Sequence, residues 1–172
     1  HKLILQRDPA FFNDLYIMES NGSNPRRLTS ALGYDGGPFF NSKGDMICWR
    51  RFSSDGHNAE IYTMDLDSES EQRLTDLKVM SWAPYFHPSN KYIIFATNIH
   101  GFNNFELYMV DLKGKRKPVR VTERKGFDGL PSFSPDGLTL SWTSNQTNSG
   151  KSQLFLAKWN HNLALQKLGL TT

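Results

Sequence analysis

The 172-residue chain holds a single cysteine, Cys48. A lone thiol excludes an internal disulfide framework and a thiolate metal cluster. No apolar run approaches the ~20 residues that a membrane-spanning helix needs, so membrane insertion is not expected. No secretory leader is visible, but the chain begins at His1 rather than Met. It reads equally as a mature form or as a piece of a longer protein, which leaves the compartment open. Net charge is small as well, at a formal +3. The densest basic run, Lys113-Gly114-Lys115-Arg116-Lys117, reads as a solvated hairpin tip, and no nucleic-acid partner is expected.

Chemistry-bearing constellations are equally scarce. His57, His87, His100 and His161 share no spacing of the His-x-x-x-His or His-Glu kind, so no metal and no other cofactor is expected. No serine sits in Gly-x-Ser-x-Gly, and no catalytic residue is assigned. Asp65, Asp67 and Glu69 alternate with Ser68 and Ser70 in a calcium-like pattern. They lack the EF-hand glycine and terminal glutamate, so a solvated turn is the better reading. The sequons Asn21-Gly22-Ser23 and Asn145-Gln146-Thr147 matter only in a secreted eukaryotic protein. No window shows a 3.6-residue apolar period, so no helix is expected.

What the chain has instead is repetition. Asp14-Leu15-Tyr16-Ile17-Met18, Glu60-Ile61-Tyr62-Thr63-Met64, Glu106-Leu107-Tyr108-Met109-Val110 and Gln153-Leu154-Phe155-Leu156-Ala157 share one pattern, polar then aliphatic then aromatic. Tyr16, Tyr62, Tyr108 and Phe155 are 46, 46 and 47 residues apart. Arg27-Leu28-Thr29, Arg73-Leu74-Thr75 and Arg120-Val121-Thr122 keep that step. So do Pro38, Pro84 and Pro131, and Trp49, Phe95 and Trp142. Each of these prolines precedes a turn: Asn41-Ser42-Lys43-Gly44, His87-Pro88-Ser89-Asn90 and Ser134-Pro135-Asp136-Gly137. All three turns close on glycine or asparagine, the residues that best tolerate positive φ.

Each unit reads as four short strands; in the third these are about 129–133, 139–144, 106–111 and 118–122. Four strands per ~45 residues is the signature of a propeller blade. The expected fold is all-β, a β-propeller of four-stranded antiparallel blades with a 46–47-residue repeat. Flat aromatic side chains fill the wedge between neighbouring sheets. The segment Pro131-Ser132-Phe133-Ser134-Pro135-Asp136-Gly137, with Trp142-Thr143-Ser144-Asn145, aliphatic-Tyr-x-Met-Asp and Arg-Leu-Thr, resembles the repeat of TolB-type, WD40-like β-propellers. The resemblance covers nearly the whole chain, and its best copy is residues 128–156.

One domain over 1–172 is expected, with repeats at about 1–35, 36–81, 82–128 and 129–172. Residues 2–6 align with the second strand of a first blade. Gln166-Lys167-Leu168 or Leu170-Thr171 stand where a last outer strand would fall. That gives about fifteen strands, or about 3.5–4 blades. Three readings stay open: part of a larger propeller, a four-bladed ring, or a ring completed by two chains. Self-association is expected if one chain leaves the ring incomplete.

In a blade, the first-to-second and third-to-fourth connections lie on one face, and here they are short. The other face carries the longer connections Arg7–Asn13, Arg51–Ala59, Thr97–Phe105 and Ser144–Ser152, with the inter-blade links Ser30–Gly36, Asp76–Trp82 and Glu123–Gly129. Long loops on a rigid scaffold form the expected binding face. Asp35, Trp82 and Asp128 are read as one residue per unit at the channel mouth, each ahead of the proline. An Asx turn before glycine is the bland reading of both aspartates. Tyr34, Phe127, Arg51, His57, His100 and Phe102 complete the candidate set.

The resemblance implies a non-catalytic scaffold for a protein or peptide partner, in the periplasm or elsewhere outside a bacterial cytoplasm. It also admits an enzyme-linked role, either gating a serine peptidase or acting as a metal-dependent polysaccharide lyase. The lyase reading requires His57 and His100 to meet on the loop face.

Overall fold

The computed structural model describes residues 13–170. The tight turns set its plan. Gly44, Asn90 and Gly137 all take positive φ, at 77°, 55° and 71°, as their turns require. Each donates its N–H back to the residue that opens its turn, Asn41, His87 or Ser134. The turns also bond to one another. Ser42 Oγ donates to the Pro88 carbonyl (3.0 Å), and Asn90 Nδ2 donates to Ser42 Oγ (2.8 Å). His87 Nε2 lies 3.2 Å from the Gly137 carbonyl.

Two complete four-stranded antiparallel sheets form the middle of the structure. One comprises β3 (Asp35–Phe40), β4 (Met46–Phe52), β5 (Ala59–Asp65) and β6 (Glu71–Arg73). The other comprises β7 (Ser81–Phe86), β8 (Tyr92–Thr97), β9 (Glu106–Asp111) and β10 (Val119–Arg120). A two-stranded sheet, β1 (Tyr16–Ile17) and β2 (Arg26–Arg27), precedes them. A three-stranded sheet, β11 (Asp128–Phe133), β12 (Thr139–Ser144) and β13 (Gln153–Lys158), follows. The first strands of successive blades, β3, β7 and β11, lie side by side. The all-β propeller architecture is as the repeat requires, and the described residues form an arc of it.

Among the described residues, two sheets have all four strands. Where Gln166-Lys167-Leu168 was expected as a last outer strand, the chain forms a helix, α1 (His161–Lys167); the alternative at Leu170-Thr171 reaches beyond the described residues. Asn160 caps it by accepting the Leu163 N–H at 3.0 Å. Gly169, with φ of 64°, ends it, while Gly169 and Leu170 donate to the carbonyls of Gln166 and Leu165. This is a Schellman stop, built on glycine's freedom to turn left-handed. Ala164, Leu165 and Leu168 are buried against Tyr92, Ile94 and Leu107 of one blade and Phe133 and Leu140 of the next. The helix therefore packs in the wedge between the β7–β10 sheet and the three-stranded β11–β13 sheet. The strand expected over residues 2–6 and the loop from Arg7 lie outside the described residues.

Every strand residue of β8 and β9 is buried, because that blade has a neighbour on each face. The large buried side chains Trp49, Phe95, Ile61 and Ile94 sit between blades, each stabilising the fold by roughly 1.5–3 kcal/mol. The fourth copy of the third-strand motif differs: Leu154 and Leu156 are 71% and 69% exposed.

The Arg-x-Thr motif has one mechanical role in three blades. Thr29, Thr75 and Thr122 each accept, on Oγ1, the backbone N–H of Leu15, Ile61 and Leu107, all at 2.9 Å. Arg27, Arg73 and Arg120 each donate from Nε to that threonine's carbonyl at 2.7 Å. Their guanidinium groups then reach Asp14, Glu60 and Glu106, the acids that open the third-strand segment. A short outer strand is thereby held by side chains as well as by its ladder.

Candidate functional site

The long connections lie together on one face of the arc, and an aromatic row crosses them. The Tyr34 and Phe52 rings meet edge-on at 5.7 Å. Arg50 stands over Tyr34, Phe52 and Trp82 at 5.6, 5.9 and 5.6 Å. Trp82 contacts Phe105 at 6.3 Å, and Phe105 contacts Phe127 at 5.8 Å. Around this row lies a cavity of about 500 Å³ lined mainly by Phe52, Met80, Trp82, Phe102, Phe105 and Phe127. Phe102 projects from its loop and is 85% exposed. Burial lowers the pKa of the Arg50 guanidinium, and Tyr34 partly opposes this.

Asparagine side chains hold the cavity walls in place. Asn98 Oδ1 accepts the Met80 N–H at 2.9 Å, and Asn145 Oδ1 accepts the Phe127 N–H at 2.8 Å. Asn104 Oδ1 accepts the Gly126 N–H at 3.0 Å. These amide side chains tie the links Asp76–Trp82 and Glu123–Gly129 to neighbouring loops.

The candidate residues divide into two groups. Trp82, Phe102 and Phe127 line the cavity, and Tyr34 joins it through Arg50. Asp35, Arg51 and Asp128 are buried. Asp35 makes no Asx turn; it chelates Arg51, which donates to Oδ1 from Nε and to Oδ2 from Nη2, both at 2.7 Å. Arg51 also reaches Glu71. Burial pulls the Arg51 pKa down, but Asp35 and Glu71 outweigh it and the net shift is upward.

The strand register corrects the alignment of Trp82 with the two aspartates. Asp35 pairs with Arg51, Ser81 with Thr97, and Asp128 with Ser144. Ser81 is the true counterpart, and Trp82 stands one place later. A β-bulge follows in each blade, with positive φ at Gly37, Ala83 and Leu130.

His57 is exposed beside Asp55, whereas His100 bonds the Tyr108 hydroxyl at 2.6 Å. Each histidine is engaged locally, in a different loop. Among the described residues, no three His, Cys, Asp or Glu side chains gather as a metal would need. Asp65 holds Ser68 through its N–H and Oγ, both at 2.8 Å, and Glu69 pairs with Arg26. Arg50, Phe52, Met80 and Asn98 were not singled out in the sequence. Arg50 and Arg51 are adjacent but point to opposite faces of β4, as strand alternation demands.

A family model described as the TolB beta propeller domain matches residues 43–168. The chain belongs to the TolB β-propeller family. TolB from Acinetobacter baumannii superposes with a TM-score of 0.76 at 24% identity, covering 90% of this chain and 37% of that one. A putative TolB from Agrobacterium tumefaciens gives 0.70 at 22%, covering 84% and 52%. An oligogalacturonate lyase in complex with manganese gives 0.58 at 20%, covering 87% and 42%. The chain thus spans between about a third and a half of these TolB structures, and likenesses at such identity establish the fold. No curated protein matches it. Within the TolB frame, the aromatic row belongs to the long-loop face of three consecutive blades.

Proposed function

We propose that this TolB-type arc is a binding scaffold whose long-loop face receives a protein or peptide partner outside the cytoplasm. The observation that carries the reading is the cavity between Trp82, Phe105 and Phe127, with Phe102 exposed at its rim. An apolar, aromatic concavity held by backbone-anchoring amides is the form that accepts an apolar anchor side chain. The Arg50 guanidinium adds a donor and a flat stacking surface for a polar rim. No described helix is long and apolar enough to cross a membrane.

The test is selection of peptides from a displayed library on the wild-type chain. Their affinities are then measured for Trp82→Ala and Phe102→Ala, and for Asp136→Ala on the short-turn face. Selected peptides are expected to lose about tenfold or more with either aromatic change and to be indifferent to Asp136→Ala. Peptides sensitive only to Asp136→Ala overturn the reading, as does a library that yields no binder.

A further inference from the structure

Three blades carry the same inter-strand position in three chemical states. In the first complete blade, Asp35 is filled by the Arg51 guanidinium, which lies over the Tyr62 ring at 4.6 Å and the Trp49 ring at 5.6 Å. In the next, both charges are gone, and Ser81 and Thr97 face each other with their hydroxyl oxygens 3.4 Å apart. In the third, the acid is retained as Asp128, but its cross-strand partner is Ser144. The aromatic floor is retained too. Trp142 and Phe155 stack at 5.7 Å and 30°, almost as Trp49 and Tyr62 do at 5.7 Å and 27°.

The consequence is a cavity of about 280 Å³ bounded by Asp128, Trp142, Ser144 and Phe155, with Glu123 and Arg124 at its edge. Asp128 is only 2% exposed, and its Oδ1 has no hydrogen-bond partner among the described residues. Its Oδ2 accepts from Gln146 Nε2 at 3.2 Å. A buried carboxylate with an unused oxygen is costly unless a cation or donor meets it. Asp128 lines the cavity, whose Trp142–Phe155 floor matches the Trp49–Tyr62 stack beneath the Arg51 guanidinium.

We infer that this cavity is a receptor for a guanidinium group, supplied by an arginine side chain of a partner. The planar fork suits the site: it bonds a carboxylate and stacks on aromatic rings at once, which an ammonium does not. Glu123 also lines the cavity and supplies a second carboxylate, as Glu71 does beside Arg51, but from the inter-blade link. The inference goes beyond the loop-face reading. The receptor involves Asp128 and not the Phe127 cavity, and the two stand or fall by different variants.

The test is titration of the whole chain with N-acetyl-arginine methylamide, read at the Trp142 indole N–H resonance. Its neutral isostere N-acetyl-citrulline methylamide is the control. The arginine compound is expected to give a saturable shift that citrulline does not. Asp128→Asn is expected to weaken it about tenfold or more. Because Asp128→Asn risks unfolding, Ser144→Arg is the second arm. It rebuilds the Arg51–Asp35 arrangement within the chain, so it is expected to raise the melting temperature and abolish arginine binding. Equal shifts from both compounds overturn the inference, as does arginine binding retained in Ser144→Arg. Saturation seen only in Arg124→Gln identifies Arg124 as the cavity's own occupant and overturns it too.

Discussion

Arg51 holds both carboxylate oxygens of Asp35 at 2.7 Å, and through Nη2 it also bonds Glu71 at 2.9 Å. The three residues lie on β4, β3 and β6, so one guanidinium ties the innermost strand of a blade to its outermost. The Tyr62 ring beneath it excludes water from one side.

Removing Arg51 leaves Asp35 buried without a partner, and the cost is set by that orphan more than by the lost attraction, whereas removing Asp35 leaves Arg51 bonded to Glu71. Arg51→Met is expected to lower stability by about 3–5 kcal/mol in urea unfolding. Replacing both members with apolar residues, as in Asp35→Leu with Arg51→Met, is expected to recover much of that loss. Equal losses in the single and double variants contradict the buried-pair account.

His87 gives the fold a pH dependence. It is buried and stacks on His161 at 4.4 Å and on Tyr92 at 4.7 Å. Its Nδ1 accepts the Ser89 N–H at 3.1 Å, which leaves Nε2 to donate to the Gly137 carbonyl. Burial pushes its pKa from 6.5 down to about 4; the Gly137 carbonyl partly opposes this and His161 adds to it. Between those values the unfolded chain binds a proton that the folded chain does not. Stability is therefore fully present above about pH 6.5 and falls as the pH drops towards 4. In thermal unfolding across pH 4–7, His87→Gln is expected to show a shallower acid slope than the parent, whatever its stability at neutral pH.

The turns show how much of this was legible. Gly44, Asn90 and Gly137 could be read as left-handed from residue type and spacing, because turn chemistry is local. Strand order and blade architecture followed from the 46–47-residue step. The helix was not read, although Asn160, the stripe of Ala164, Leu165 and Leu168, and Gly169 all signal one. Those seven or so residues fell where the repeat called for an outer strand, and the repeat pattern outweighed them. The Trp82 misalignment had a different origin. Asp35 and Asp128 each stand three residues before the proline and Trp82 only two, so the spacing itself points to Ser81. The cavity was only partly visible, since Phe52, Met80 and Arg50 meet Phe105 and Phe127 through tertiary packing.

The repeated threonine offers a sharper test of the repeat mechanics. Thr75 Oγ1 accepts the Ile61 N–H at 2.9 Å and donates to Glu60. Thr75→Val keeps the shape but leaves a buried N–H and a buried carboxylate oxygen each short of one partner. A loss of about 1–3 kcal/mol is expected in urea unfolding, with Thr75→Ser recovering most of it. Matching losses for the valine and serine variants assign the role to the methyl group and refute the hydrogen-bond account.

Leu107 and Leu154 occupy the same column of successive blades, yet the first is wholly buried and the second is 71% exposed. The difference arises from neighbours, because Leu107 packs with Tyr92, Phe133 and the helix residue Leu165. Leu107→Ala is expected to lower stability by about 2–5 kcal/mol through lost burial and the cavity left behind. Leu154→Ala is expected to stay within about 0.5 kcal/mol, since truncating an exposed side chain removes little packing. Thermal unfolding at two protein concentrations checks both. A large loss at Leu154 that grows with protein concentration reports association through the β13 face; a large loss independent of concentration means that face is covered within the chain.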